Sequence, residues 1–154
     1  MPLLGGPADK IGNRYELWWT VYQFVRIING EVENIRIEDP TIDKAEFVIT
    51  AGGYREFHQT KRSHLRSQWS LYELGSPKHQ LLQTMFKQLS TSTNTRFVFV
   101  SGSEARELEE LTKRAADAKD LKEFESEFVS AKSQKQNFNR LKGVWNTDTN
   151  TAYE

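Results

Sequence analysis

Cysteine is absent from the chain, which excludes thiol nucleophiles, disulfides and Cys-ligated zinc at once. An excess of either charge is missing too, because 21 Lys and Arg residues balance 21 Asp and Glu. That balance excludes a protein that holds nucleic acid by bulk positive charge, so any such contact has to be a local patch. No apolar run approaches the ~18 residues of a membrane span, and Met1 to Lys10 lacks a basic stretch followed by a long apolar one. These absences set the expectation of a cytoplasmic protein with no membrane partner. The three histidines, His58, His64 and His79, are too scattered for a zinc site. There is no Gly-x-x-x-x-Gly-Lys-Ser/Thr loop to cradle a nucleotide phosphate, no internal repeat and no low-complexity segment.

What is present begins with size. A chain of 154 residues is one domain by length, and such a domain buries roughly 68–70% of its unfolded surface without needing staples. The expected organisation is a domain over residues 1–145, followed by a polar, aperiodic stretch, 146–154, that reads as a frayed end or a linker to further domains.

The most informative segment is a hairpin. Lys44 to Thr50 is β-branched and aromatic, Gly52-Gly53 can take the positive φ values of a tight turn, and Tyr54 to Arg62 resumes an extended pattern. A two-residue turn sets Ala51 opposite Tyr54, hence Glu46 opposite Gln59 and Lys44 opposite Lys61. Alternation then gathers Glu46, Gln59 and Lys61 on one face, and sends His58, Thr60 and Arg62 to the other with Phe47 and Ile49. Asp43 falls on the second face, where only a bulge or bend would bring it round, so it is a second choice. The plain alternative is a set of exposed strand charges in which Glu46 pairs with Lys61 or Lys44, for only ~0.2–1 kcal/mol.

Around the hairpin, Ile11 to Asn29 carries apolar residues at helical spacing and stops at Gly30. This helix, with Trp18 and Trp19, is expected to cover the sheet. Val32 to Asp39 alternates as a strand. Ser63 to Gly75 reads as a loop with a helical turn near Trp69, and a second long helix is expected from Pro77 through Leu89. Arg96 to Val100 is a continuous run suited to a strand covered on both faces. Ser103 reads as the N-cap of an acidic helix to about Lys119, whose alternating charges mark a solvated face. Helical spacing resumes through Phe124, Phe128, Phe138, Leu141 and Val144.

These residues resemble the restriction-endonuclease-like PD-(D/E)XK superfamily in its Gln-x-Lys variant. The likeness is greater to the N-terminal effector nuclease domain of bacterial antiphage proteins that bind NTPs. It runs through Gly5-Gly6, Tyr15-Glu16, Glu38, Glu46, His58-Gln59-Thr60-Lys61-Arg62, Gln68-Trp69-Ser70, Phe97 to Ser101 and Leu108 to Ala115, and spans roughly residues 5 to 130. What it implies is an α/β core ordered helix, three strands, helix, strand, helix, with a central mixed sheet flanked by helices. It implies a Mg²⁺-dependent endonuclease cleaving double-stranded DNA with little sequence specificity, Mn²⁺ being the alternative ion. Lys61, Glu46 and Gln59 would be catalytic, with Glu46 and Gln59 as metal ligands. Where the superfamily usually has a third-strand acid this chain has the neutral Gln59, so further carboxylates are needed, and Glu38 and Glu16 are the candidates. Arg62, His64 and Arg66, in the basic loop after the strand, would touch the DNA backbone. The implied partners are the NTP-binding and sensor domains of a longer protein that assembles as an oligomer. The alternative is a catalytically inactive module of the same fold that binds DNA or a protein partner.

Overall fold

The computed structural model describes residues 7–37, 47–61, 68–91 and 93–154, with the backbone alone at 7–13 and 15. It is an α/β protein whose chain divides into two compact units, one formed by Met1–His64 with Lys87–Gly102 and one by Leu65–Phe86 with Ser103–Glu154.

The first unit is a helix on a sheet. Helix α1 (Pro7–Ile28) is followed by strands β1 (Asn34–Ile37), β2 (Phe47–Ala51), β3 (Tyr54–Lys61) and, later in the chain, β4 (Thr95–Ser101). The sheet order is β1-β2-β3-β4; the first three strands are antiparallel neighbours and β4 runs parallel to β3. Gly30, at φ 73°, ends α1 as anticipated. The Gly30 amide donates to Ile27 O and the Glu31 amide to Arg26 O, both at 2.9 Å, the paired bonds of a Schellman stop.

α1 departs from expectation in its orientation. Trp19 is half-buried and Gln23 fully buried, whereas Leu17, Trp18, Val21, Tyr22, Phe24, Val25 and Ile28 are between 43% and 82% exposed. At ~100° per residue, Trp19, Gln23 and Arg26 lie on one arc and the exposed seven on the opposite one. The helix therefore lays its more polar side on the sheet and turns its apolar side outward. β4 is also not covered as expected: it is an edge strand in which Val100 alone is fully buried, since no further strand is paired beyond it among the described residues.

The second unit is helical. α2 (Leu71–Leu74) opens with a capping box in which Ser70 Oγ accepts from the Glu73 amide and Glu73 Oε2 accepts from the Ser70 amide, each at 3.2 Å. α3 (Leu81–Leu89) starts later than the Pro77 of the sequence reading, because Gln80 takes φ 50° and separates it from the turn before; its last three residues belong to the first unit. α4 (Arg106–Asp117) starts after Ala105 and not with Ser103 as its cap. α5 (Leu121–Glu123) runs into a π-helical turn, Phe124–Phe128, and α6 (Lys132–Trp145) follows.

Buried Leu71, Leu82, Leu108, Phe124, Phe138 and Leu141 supply this unit's core. Trp145 stacks on Phe86 at 5.1 Å and donates its indole N–H to Leu82 O at 2.7 Å. The final segment is helical: Asp148 caps α7 (Thr149–Tyr153), and Tyr153 packs on the Phe124 ring and donates to Ala118 O at 3.2 Å.

Candidate functional site

Gly52 and Gly53 sit at φ 56° and 81°, the pair of positive angles that a two-residue hairpin turn needs. The turn sets Ala51 opposite Tyr54, and the register continues through Val48 with Phe57 to Phe47 with His58, the pairing anticipated from the sequence. On the far side, β4 places Phe97 beside Phe57, Phe99 beside Gln59 and Ser101 beside Lys61.

Alternation divides these strands into two faces. One carries Val48, Phe57 and Phe97 in contact, then Gln59 and, at the strand end, Lys61. Gln59 is 4% exposed and its Oε1 accepts no hydrogen bond. A buried amide oxygen left unpaired costs about 1–3 kcal/mol. Lys61 is half-buried. It follows Gln59 by two positions on the same strand face, so that face carries an amide oxygen and a cationic side chain in turn.

The opposite face meets α1. Trp19 Nε1 donates to His58 Nδ1 at 3.1 Å, and His58 Nε2 lies 3.2 Å from Glu56 Oε2. Indole can only donate, so Nδ1 is the unprotonated nitrogen and Nε2 carries the proton toward Glu56. Burial lowers the His58 pKa below its ordinary value; the hydrogen bond and negative charge of Glu56 oppose that shift, and the Arg26 charge adds to it. Glu56 is held between two guanidiniums, Arg26 at 3.9 Å and Arg96 at 3.7 Å, while Arg26 also donates to Gln23 Oε1 at 2.9 Å. Arg96 lies over the Tyr54 ring at 3.9 Å. This polar cluster was missed by the sequence reading. Its available signal was the spacing of Glu56 and His58, which puts an acid and a base on one strand face.

Of the anticipated site residues, Gln59 and Lys61 stand two positions apart on one face of β3. Glu16 is exposed on α1, the helix that packs on the other face through Trp19. Glu38, Asp43, Glu46, Arg62, His64 and Arg66 lie outside the described residues. Among the described residues, no three His, Asp or Glu side chains gather to hold a metal ion, and no helix is long and apolar enough to cross a membrane. Gln59 Oε1 fits the role of a single hard-cation ligand, being an oxygen with no competing donor. Compared with known proteins, the chain matches no family model, no curated protein and no solved structure.

Proposed function

We propose that the chain is a Mg²⁺-dependent endonuclease domain that cleaves double-stranded DNA with little sequence specificity, as the effector of a bacterial antiphage defence system in the cytoplasm. The observation that carries this reading is the unpaired, buried Gln59 Oε1 on the same strand face as Lys61, in the Gln-x-Lys order of the nuclease motif. Gln59 would give Mg²⁺, or Mn²⁺, an oxygen ligand, with Glu46 as the acid the hairpin reading pairs with it and Glu38 or Glu16 adding charge. A bound divalent ion there would supply positive charge to the scissile phosphate. Lys61 would orient the attacking water and offset negative charge that grows as the phosphorus adds an oxygen. Arg62, His64 and Arg66 would hold the flanking phosphates. NTP-binding and sensor domains of a longer protein would control assembly of the effector.

Plasmid cleavage tests this directly. Supercoiled DNA should be nicked with Mg²⁺ and left intact with EDTA, and Lys61→Ala should cost on the order of 10²-fold or more in rate, as loss of a charge aimed at the transition state does. Gln59→Glu should lower the Mg²⁺ concentration needed and Gln59→Ala should raise it. Identical metal dependence in all three proteins would remove Gln59 from the site. A wild type that binds DNA but never cuts it, with either ion, would leave the inactive binding module as the better reading.

A further inference from the structure

α1 is built the wrong way round for a helix whose work is to cover a sheet. A surface helix normally turns its apolar stripe to the core and its polar side to water. Here the arc on the sheet holds Gln23, at 0% exposure, and Arg26, which is engaged by Glu56 and Glu31. The outward arc holds Trp18 at 71% and Ile28 at 82%, together with Leu17, Val21, Tyr22, Phe24 and Val25. Aromatic side chains such as Trp18, Tyr22 and Phe24 carry about 150–250 Å² each, and with the smaller Leu17, Val21, Val25 and Ile28 the seven roughly half-exposed side chains amount to on the order of 700 Å². Ordinary monomers carry a largest apolar patch of about 300–600 Å². One side of a standard protein interface buries about 800 Å².

We propose that this outward face of α1 is a dimerisation surface whose occupant is α1 of a second copy of the chain. Three features select a second copy. First, the area matches what each partner in a stable dimer contributes. Second, the only charge from Leu17 to Ile28 is Arg26, on the inner arc, so the stripe has nothing to recognise a charged partner and nothing to repel its own image across a two-fold axis. Third, the same unit carries a further exposed apolar side chain on its sheet, Ile37 of β1 at 48%, so its exposed apolar surface is not confined to α1. Two such helices pack antiparallel about a point between Val21 and Tyr22, which brings Trp18 of one copy against Val25 of the other. That arrangement also opposes the two helix dipoles favourably. The dimer does not depend on the hairpin site, so a chain that cuts no DNA can still pair.

Sedimentation velocity on the whole chain, from low to high micromolar and without detergent, should give a concentration-dependent species of twice the 17.9 kDa monomer mass. Trp18→Glu, and separately Ile28→Glu, should give monomers over the same range with an unchanged far-ultraviolet circular dichroism spectrum. If Trp18 meets Val25, mixing Trp18→Glu with Val25→Lys should restore a dimer that neither forms alone. A wild type that stays monomeric throughout overturns the proposal, including one that instead binds neutral lipid vesicles or another protein through Trp18. A dimer that survives both glutamate substitutions overturns it as well, because the interface must then lie elsewhere.

Discussion

His58 is held by two neighbours that fix its proton: the Trp19 indole occupies Nδ1 and Glu56 faces Nε2, in a setting where the ring is 2% exposed. Burial dominates and keeps the folded-state pKa below the value of ~6.5 that the unfolded chain has. The sign follows from proton counting. As pH falls below about 6.5 the unfolded state takes up the proton first, so the neutral ring's contribution is fully present above that pH and is lost as pH drops toward the folded value. We expect urea midpoints of the wild type to fall over this window more steeply than those of His58→Gln, in which the titrating ring is gone while His64 and His79 remain. Parallel curves would mean that another group carries the acid sensitivity. At this scale the hairpin was largely legible: once Gly52-Gly53 is read as the turn, Gln59 and Lys61 must share a face. The inner polar cluster was not, because whether Glu56 and His58 are buried depends on which side of α1 covers them.

The hairpin turn gives a prediction at the scale of elements. Both glycines have positive φ and open space where a Cβ would stand, so a side chain there is limited by backbone conformation and not by collision. Asn tolerates the left-handed region and is favoured ahead of Gly in this turn type, so Gly52→Asn should leave stability within about 0.5 kcal/mol of wild type. A β-branched residue there is strained, and Gly53→Val should cost about 1–2 kcal/mol in chemical denaturation. Equal effects from both would show that the turn is not of this kind. Element order and strand pairing were readable because turn chemistry and period-two alternation are local. What was not readable required the partner surface. α1 shows apolar residues on most of its circumference, so periodicity could not say which arc met the sheet, and β4 reads as a buried run although among the described residues it lies at an edge. The start of α3 moved because Pro77 suits a turn as well as a first helical position, and the left-handed Gln80 decides between them.

For the whole molecule, the balance of 21 cations against 21 anions limits how it would hold DNA under the proposed nuclease function. With no excess charge, such attraction would rest on a local cluster, and the candidates are Lys61, Arg62 and Arg66 beside His64. Each phosphate neutralised by a cation releases condensed counterions, which makes the logarithm of the binding constant fall against the logarithm of salt with a slope of about −0.9 per contact. Three contacts per chain give a slope near −3, so a fourfold rise in salt should weaken binding about 40-fold. Fluorescence anisotropy of a labelled duplex, titrated in EDTA so that no strand is cut, measures this. The double substitution Arg62→Ala with Arg66→Ala should then reduce the slope to about −1, and should do so equally for unrelated DNA sequences, since phosphate contacts carry no base readout. A wild-type slope near −8 would place a second basic surface on the chain, while a slope near zero would end the case for DNA as the partner whatever Lys61 and Gln59 do.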